Sequence, residues 1–337
     1  MRKPRVLVVD DSAFARSVLT RILRSTGTID VLGTARDGRD ALAQIAALDP
    51  DLITLDLTMP DLGGIDVLRA LQGRARPRVL VVSISSVDTE LGAEALSLGA
   101  IDIVTKPTAL ATARLNELGD ELIAKVLAAT QSILDPVAQP RGTALQRSTV
   151  PAELVMIGTS TGGPQALSQV VAKLPATLAA PVAIVLHIPV GFTEALAARL
   201  DRLSPLQVIE GFEGLELRPG LVVLARGGEH LRIERHGTAL VCRLSTRPIQ
   251  PFTPSVDVLF ESGASAVGAR GLGVVLTGMG DDGLAGSRKL AAAGGSLLTE
   301  SPTSCIVYGM PRCVFEAGIG AASVPLGAIA DEIAKRA

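Results

Sequence analysis

Ser160, His187 and the pair Asp281-Asp282 are the side chains of this 337-residue sequence best suited to acyl transfer. That chemistry needs a hydroxyl to attack, an imidazole to take its proton and a carboxylate to fix the imidazole tautomer. Ser160 falls within residues 154–164, L-V-M-I-G-T-S-T-G-G-P. Residues 154–157 have the length of a buried parallel strand, Gly158 ends the run, and Pro164 suits the first turn of a helix over 165–174. A hydroxyl on such a turn is held at the carboxyl edge of a sheet, beside free N–H groups that can hold a developing oxyanion. The competing reading of Gly162-Gly163 is close strand–helix packing or a phosphate cradle.

His187 closes the apolar run 181–187, in L-H-I-P, and a helix is expected over 193–203. Asp281 and Asp282 follow the buried run 271–276, in L-T-G-M-G-D-D-G, and a helix to 293 follows them. Each has a plainer alternative: a polar strand-end histidine, or an acidic pair capping the next helix. His230 lies on a short middle strand and His236 precedes Gly237 in a hairpin turn, so neither competes for the strand-end position. Three strand ends meeting at one sheet edge outweigh the separate alternatives. The order Ser, His, Asp differs from the Ser, Asp/Glu, His of α/β-hydrolases, so G-T-S-T-G belongs to another family.

A second set lies nearer the N-terminus. Asp10 and Asp11 end an expected strand at 5–9, Asp56 ends one at 52–55, and Ser83 and Lys106 follow those at 79–83 and 101–104. Carboxylates converging on one edge repel unless a hard cation sits among them, and oxygen ligands suit Mg²⁺. A carboxylate beside such an ion can accept a phosphoryl group, with the lysine and hydroxyl steadying the transferred oxygens. Taken singly, Asp56 reads as a cap or a turn residue; the five positions together read as a phosphoacceptor site.

The elements that must position these sets alternate strand and helix. In the N-terminal part a further strand is expected at 31–35, with helices at 12–24, 38–47, 64–71, 87–98 and 116–134. The rhythm resumes at 154. Short strands at 207–210, 221–225, 230–235 and 240–244 include an antiparallel excursion, and a helix covers 255–268. The fold class is α/β: two doubly wound domains, an N-terminal (βα)5 unit and a C-terminal, mostly parallel, Rossmann-like sheet. The domains are residues 1–134 and 151–337, joined by a proline-bearing tether at 135–150.

Composition bounds the rest. With six Phe, one Tyr and no Trp, the core is built from Val, Leu, Ile and Ala, as buried parallel strands require. A net charge of −2 gives no electrostatic case for nucleic acid. No apolar run would span a bilayer, and the start M-R-K-P-R-V-L-V-V-D-D is too soon acidic for a signal peptide. Cys242, Cys305 and Cys313 are scattered and read as reduced thiols of a cytoplasmic protein, with no chemistry assigned.

The motifs V-V-D-D-S, L-D-L-T-M-P, V-V-S and T-K-P make residues 1 to about 125 resemble the receiver domain of bacterial response regulators. The resemblance implies Asp56 as phosphorylated residue, with Asp11, Asp56 and the Thr58 carbonyl as Mg²⁺ ligands. It implies Asp10 as a supporting carboxylate, Ser83 as switch hydroxyl and Lys106 as phosphate partner. Two departures stand out: Ile103 occupies the aromatic switch position, and Gly63-Gly64 replaces the commoner Asp-Gly.

The whole chain resembles the chemotaxis protein-glutamate methylesterases, a receiver fused to an esterase domain. The resemblance rests on I-G-T-S-T-G-G, L-H-I-P, P-S-V-D-V-L-F and L-T-G-M-G-D-D-G. It implies Ser160 as nucleophile, His187 as base, Asp282 as the orienting carboxylate, Thr161 lining the site and the Met279 N–H in the oxyanion hole. The implied reaction is hydrolysis of glutamate methyl esters on chemoreceptors, with deamidation of receptor glutamines at the same site and no cofactor for either. The implied partners are chemoreceptors and a chemotaxis histidine kinase, without nucleic acid and without membrane insertion. Phe252-Thr253 stands where the family commonly has His-Arg, and Arg226 where a proline is usual, which bears on receptor preference rather than chemistry. The expected regulation is a receiver that covers the Ser160 edge until Asp56 is phosphorylated. The chief alternative is a phospho-switched adaptor that recognises receptors without turning them over. A nucleotide-binding domain lacks its G-x-G-x-x-G or G-K-[ST], and a DNA-binding regulator lacks a basic recognition helix.

Overall fold

The apolar runs form parallel strands buried on both faces, in two units, Met1–Pro136 and Val137–Ala337. The computed structural model describes residues 2–74, 76–84, 89–106, 112–134 and 150–337. The tether expected at 135–150 therefore lies outside the described residues except for Val150.

The first unit runs β1 (Arg5–Val9), α1 (Ala13–Ser25), β2 (Asp30–Ala35), α2 (Gly38–Leu48), β3 (Leu52–Leu55) and α3 (Gly64–Leu71). It continues with β4 (Arg78–Ile84), α4 (Thr89–Ser97), β5 (Ala100–Lys106) and α5 (Thr112–Leu134). Its sheet has the order β2-β1-β3-β4-β5, with every pairing parallel. The chain leaves β1 for one edge and returns to build the other, so the switch in strand order lies between β1 and β3. A crevice opens there at the carboxyl ends of the strands. α5 begins at Thr112, earlier than the expected 116; its buried Leu118, Leu122, Val126 and Ala129 form the helical stripe that meets the core. Of the helix expected over 87–98, Val87 and Asp88 lie outside the described residues.

The second unit runs β6 (Leu154–Thr159), α6 (Gly163–Val171), β7 (Val182–Leu186), α7 (Thr193–Leu203), β8 (Gln207–Glu210), β9 (Glu216–Leu217) and β10 (Leu221–Leu224). Then come β11 (His230–His236), β12 (Ala239–Ser245), α8 (Val256–Val267), β13 (Gly271–Val275) and α9 (Leu284–Ala292). It ends with β14 (Ser296–Glu300), α10 (Met310–Glu316), β15 (Ala322–Val324) and α11 (Leu326–Ala334). The main sheet has seven strands in the order β15-β14-β13-β6-β7-β10-β8, all paired parallel. The antiparallel excursion is a separate sheet, β11-β12-β9. β6 is the switch strand: β7, β10 and β8 build outward on one side, β13, β14 and β15 on the other.

Residues of β6 alternate between two cores. Val155 and Ile157 join the cluster under α6, α7 and α11, whereas Leu154 and Met156 join the one under α8 and α9. Gly158 does not end the strand, as its sequence context suggests. β6 continues through Gly158 and Thr159, and a Cβ at Gly158 would fall 2.2 Å from Val256 Cγ1. The glycine lets the start of α8 approach the strand. Among the described residues no helix is long and apolar enough to cross a membrane.

Candidate active site and phosphoacceptor cleft

Ser160 and His187 are neighbours by strand register. β6 and β7 pair with Thr159 opposite Leu186, so the next residue of each strand is Ser160 and His187. The His187 N–H donates to the Thr159 carbonyl at 3.1 Å. On the other side, the Ser160 N–H donates to the Thr277 carbonyl at 3.0 Å, just beyond β13. Thr277 braces the whole turn. Its carbonyl also accepts from Thr159 Oγ1 at 2.7 Å, its hydroxyl donates to the Thr161 carbonyl at 2.9 Å, and its N–H donates to Glu300 Oε2 at 2.8 Å. Gly162 turns the chain into α6 with φ +82, and a Cβ there would meet Ile306 Cβ at 2.8 Å. Only glycine meets both demands.

His187 Nε2 lies 2.8 Å from Asp282 Oδ2, with both side chains nearly buried. Asp282 is held by the N-terminus of α8: it accepts from Val256 N at 2.7 Å, Asp257 N at 3.0 Å and Ser255 Oγ at 2.8 Å. Burial pushes its carboxyl up, but the imidazole and those two backbone N–H groups outweigh that and hold it below the ordinary range. An ionised Asp282 fixes the proton of neutral His187 on Nε2. The other nitrogen, Nδ1, is buried and has no hydrogen-bond partner among the described residues. Ser160 Oγ makes no hydrogen bond to the ring here; such contacts often tighten only when a substrate is bound.

The strand-end reading leaves Asp281 and Asp282 interchangeable and the family resemblance implies Asp282; here Asp282 faces the imidazole, and Asp281 is exposed. The capping alternative has a different form from the expected one. Asp282 caps α8 rather than α9, and Asp257 caps α9, accepting from Gly283 N at 2.9 Å and Gly286 N at 2.7 Å. Thr161, the residue after Ser160, is buried. Met279 follows Gly278, whose N–H donates to the Val307 carbonyl and whose own carbonyl accepts from Gly309 and Met310. Among the described residues the Met279 N–H has no assigned acceptor. Sequence reasoning missed Ser255, Asp257 and Glu300, and noted Phe252 only as a departure, although its ring stacks on His187. The serine before V-D-V-L-F carries a helix N-cap signal; nothing local shows which carboxylate the cap would hold.

In the first unit Asp10, Asp11 and Asp56 bring carboxylate oxygens within 4.8 Å of one another at the β1–β3 crevice. Lys106 Nζ lies 2.6 Å from Asp10 Oδ2 and 2.7 Å from Asp56 Oδ2. Burial pushes the Asp56 carboxyl above its usual range, and Lys106 opposes that shift. The Thr58 N–H donates to Asp56, and Asp10 Oδ1 accepts from Ser12 N at 2.9 Å. Ser83 is buried on β4, opposite Thr105 and so one register step from Lys106. Ile103 is fully buried on β5. Gly64 is required by contact, since a Cβ there would lie 2.4 Å from the Asp56 carbonyl oxygen, while Gly63 starts α3 with no side-chain cap. An all-oxygen set of clustered carboxylates fits a hard divalent cation.

Residues 155–333 match the CheB methylesterase family and residues 6–116 match the response regulator receiver domain. The protein-glutamate methylesterase/protein-glutamine glutaminase 5 of Myxococcus xanthus is 54% identical over 329 residues, covering 96% of this chain and 94% of the relative. The corresponding protein of Symbiobacterium thermophilum is 43% identical, covering 99% and 97%. Among solved structures, the CheB methylesterase catalytic domain of Thermotoga maritima aligns with a TM-score of 0.53 at 36% identity. It covers 55% of this chain and 99% of that domain. The chain belongs to the CheB methylesterase family, in the form that carries a response regulator receiver domain ahead of the methylesterase domain.

Proposed function

We propose that the chain is a phosphorylation-activated hydrolase that removes methyl esters from glutamates of chemoreceptors in the cytoplasm and deamidates receptor glutamines. The single observation that carries this reading is the Asp282–His187 contact of 2.8 Å at the strand end adjoining Ser160. Ser160 Oγ attacks the ester carbonyl and passes its proton to His187 Nδ1, while Nε2–H stays on Asp282. The Met279 N–H receives the negative charge that develops on the carbonyl oxygen, and Thr161 lines the site. His187 then returns the proton to the leaving methoxide, releasing methanol. Water repeats the sequence in reverse on the acyl-serine, freeing glutamate. With a glutamine side chain the leaving group is ammonia. No cofactor enters either reaction.

In the receiver, residues 1–134, Asp56 takes a phosphoryl group that originates from a chemotaxis histidine kinase. Asp11, Asp56 and the Thr58 carbonyl would hold Mg²⁺, which neutralises phosphoryl oxygens when bound; Asp10 supports that set. Lys106 and Ser83 hold the transferred oxygens. Phosphorylation of Asp56 relieves a restraint on the domain of residues 151–337. The buried aliphatic Ile103 supplies no aromatic rotation for that signal. Hydrolysis of a small activated ester such as p-nitrophenyl acetate tests the chemistry without a receptor. S160A should abolish it; activity surviving in S160A would overturn the serine mechanism.

A further inference from the structure

We infer that Phe252 is a positioning residue for His187: its ring sets the plane of the imidazole and faces the positive charge that forms there during turnover. The inference rests on the triad reading above. One hydrogen bond, Nε2 to Asp282, anchors one edge of the imidazole but leaves the ring free to rock about that contact. The Phe252 ring lies parallel to it, with centroids 4.2 Å apart and an interplanar angle of 9°. A flat face at van der Waals distance removes the remaining freedom and keeps Nδ1 in one direction. When His187 takes the serine proton, the imidazolium forms against an aromatic face, a favourable cation–π arrangement.

The loop carrying Phe252 is itself fixed from below. His230, fully buried, accepts the Ser255 N–H on Nδ1 at 3.1 Å, so Nε2 carries the proton and donates to the Pro248 carbonyl at 2.9 Å. One imidazole thus ties both ends of segment 248–255. The Gly228 N–H donates to the Thr253 carbonyl at 3.2 Å between those ends. Ser255, at the end of the same segment, holds Asp282. A single tied loop therefore supports His187 at its face and its partner Asp282 at one oxygen. Phe252 is 38% exposed, so core packing does not account for its ring; the contact with the imidazole does.

The test uses the full chain with a small-molecule phosphodonor and methylated receptor membranes, comparing wild type, F252L, F252Y and S160A. F252L keeps the bulk and loses the flat face, and should lower kcat about tenfold while KM stays within a factor of about two. F252Y should restore kcat. The stack also shields the His187 ring protons, so their NMR resonances should move downfield in F252L and stay in F252Y; with three histidines in the chain, assignment by substitution is direct. Wild-type kcat in F252L, equal impairment in F252Y, or a raised KM with unchanged kcat would overturn the positioning role. Hydrolysis persisting in S160A would instead overturn the triad beneath it.

Discussion

Asp257 and Asp282 each receive the N-terminus of the helix beside the other. Asp282, just before α9, accepts from the first residues of α8, and Asp257, in the first turn of α8, accepts from Gly283 and Gly286 at the start of α9. The exchange sets two carboxylates close together, and their environments drive them apart. Burial, reinforced by the Asp282 charge, pushes Asp257 up to about 6, while His187 and helix N–H groups keep Asp282 ionised. The N-terminus of α8 thereby locks the carboxylate that faces the imidazole, and that of α9 holds Asp257.

Asp282→Asn should therefore damage turnover far more than folding. The amide oxygen of the variant can accept from one of the two helix N–H groups but its NH2 then faces the other, and the amide lacks the charge that stabilises an imidazolium and fixes Nε2–H. We expect kcat to fall on the order of 10⁴-fold, by analogy with the equivalent change in serine hydrolases, and the melting temperature to fall modestly because one helix N–H loses its acceptor. Steady-state methanol release and thermal unfolding of the same preparation check both halves.

Glu300 makes stability depend on pH with a definite sign. Its fully buried carboxyl is raised to about 7 from 4.5 in the unfolded chain, with burial the main cause. Between those values the folded state binds more protons than the unfolded state, so stability from this group is present at low pH and is lost as pH rises. The loss is on the order of 3 kcal/mol, at about 1.4 kcal/mol for each pH unit between the two values. Glu300→Gln keeps an acceptor for the Thr277 N–H and cannot ionise. Its stability relative to wild type should grow between pH 4.5 and 8, read from urea midpoints at each pH; a flat difference contradicts the assignment.

Chelation should separate the two units chemically. Removing divalent cations with EDTA should stop phosphorylation of Asp56 by a phosphodonor, because Asp10, Asp11 and Asp56 then face one another with Lys106 alone. Hydrolysis of an activated ester by the unphosphorylated chain should be unchanged, since the steps proposed at Ser160 use no metal. A radiolabelled phosphoramidate and p-nitrophenyl acetate provide the paired readout.

The strand-end positions of Ser160 and His187 are legible in the sequence because each follows an apolar run of strand length and precedes helix-start residues. The receiver strands are legible for the same reason. What binds Asp282 is not, because Ser255 and Val256 sit about 26 residues away and meet it only through the crossing of α8 and α9. Gly158 misleads for a related reason. Its missing side chain looks like a strand end, and only the approach of Val256 shows that it serves packing. Phe252 carries no local signal at all, since a stack on His187 is a relation between two loops.

The most direct measurement is methanol release from methylated receptor membranes, comparing wild type, Ser160→Ala and Asp56→Ala, each with and without a small-molecule phosphodonor. The account predicts release by wild type that rises with the phosphodonor, no release by Ser160→Ala under either condition, and basal release without stimulation by Asp56→Ala. Release by Ser160→Ala, or full stimulation of Asp56→Ala, would contradict it.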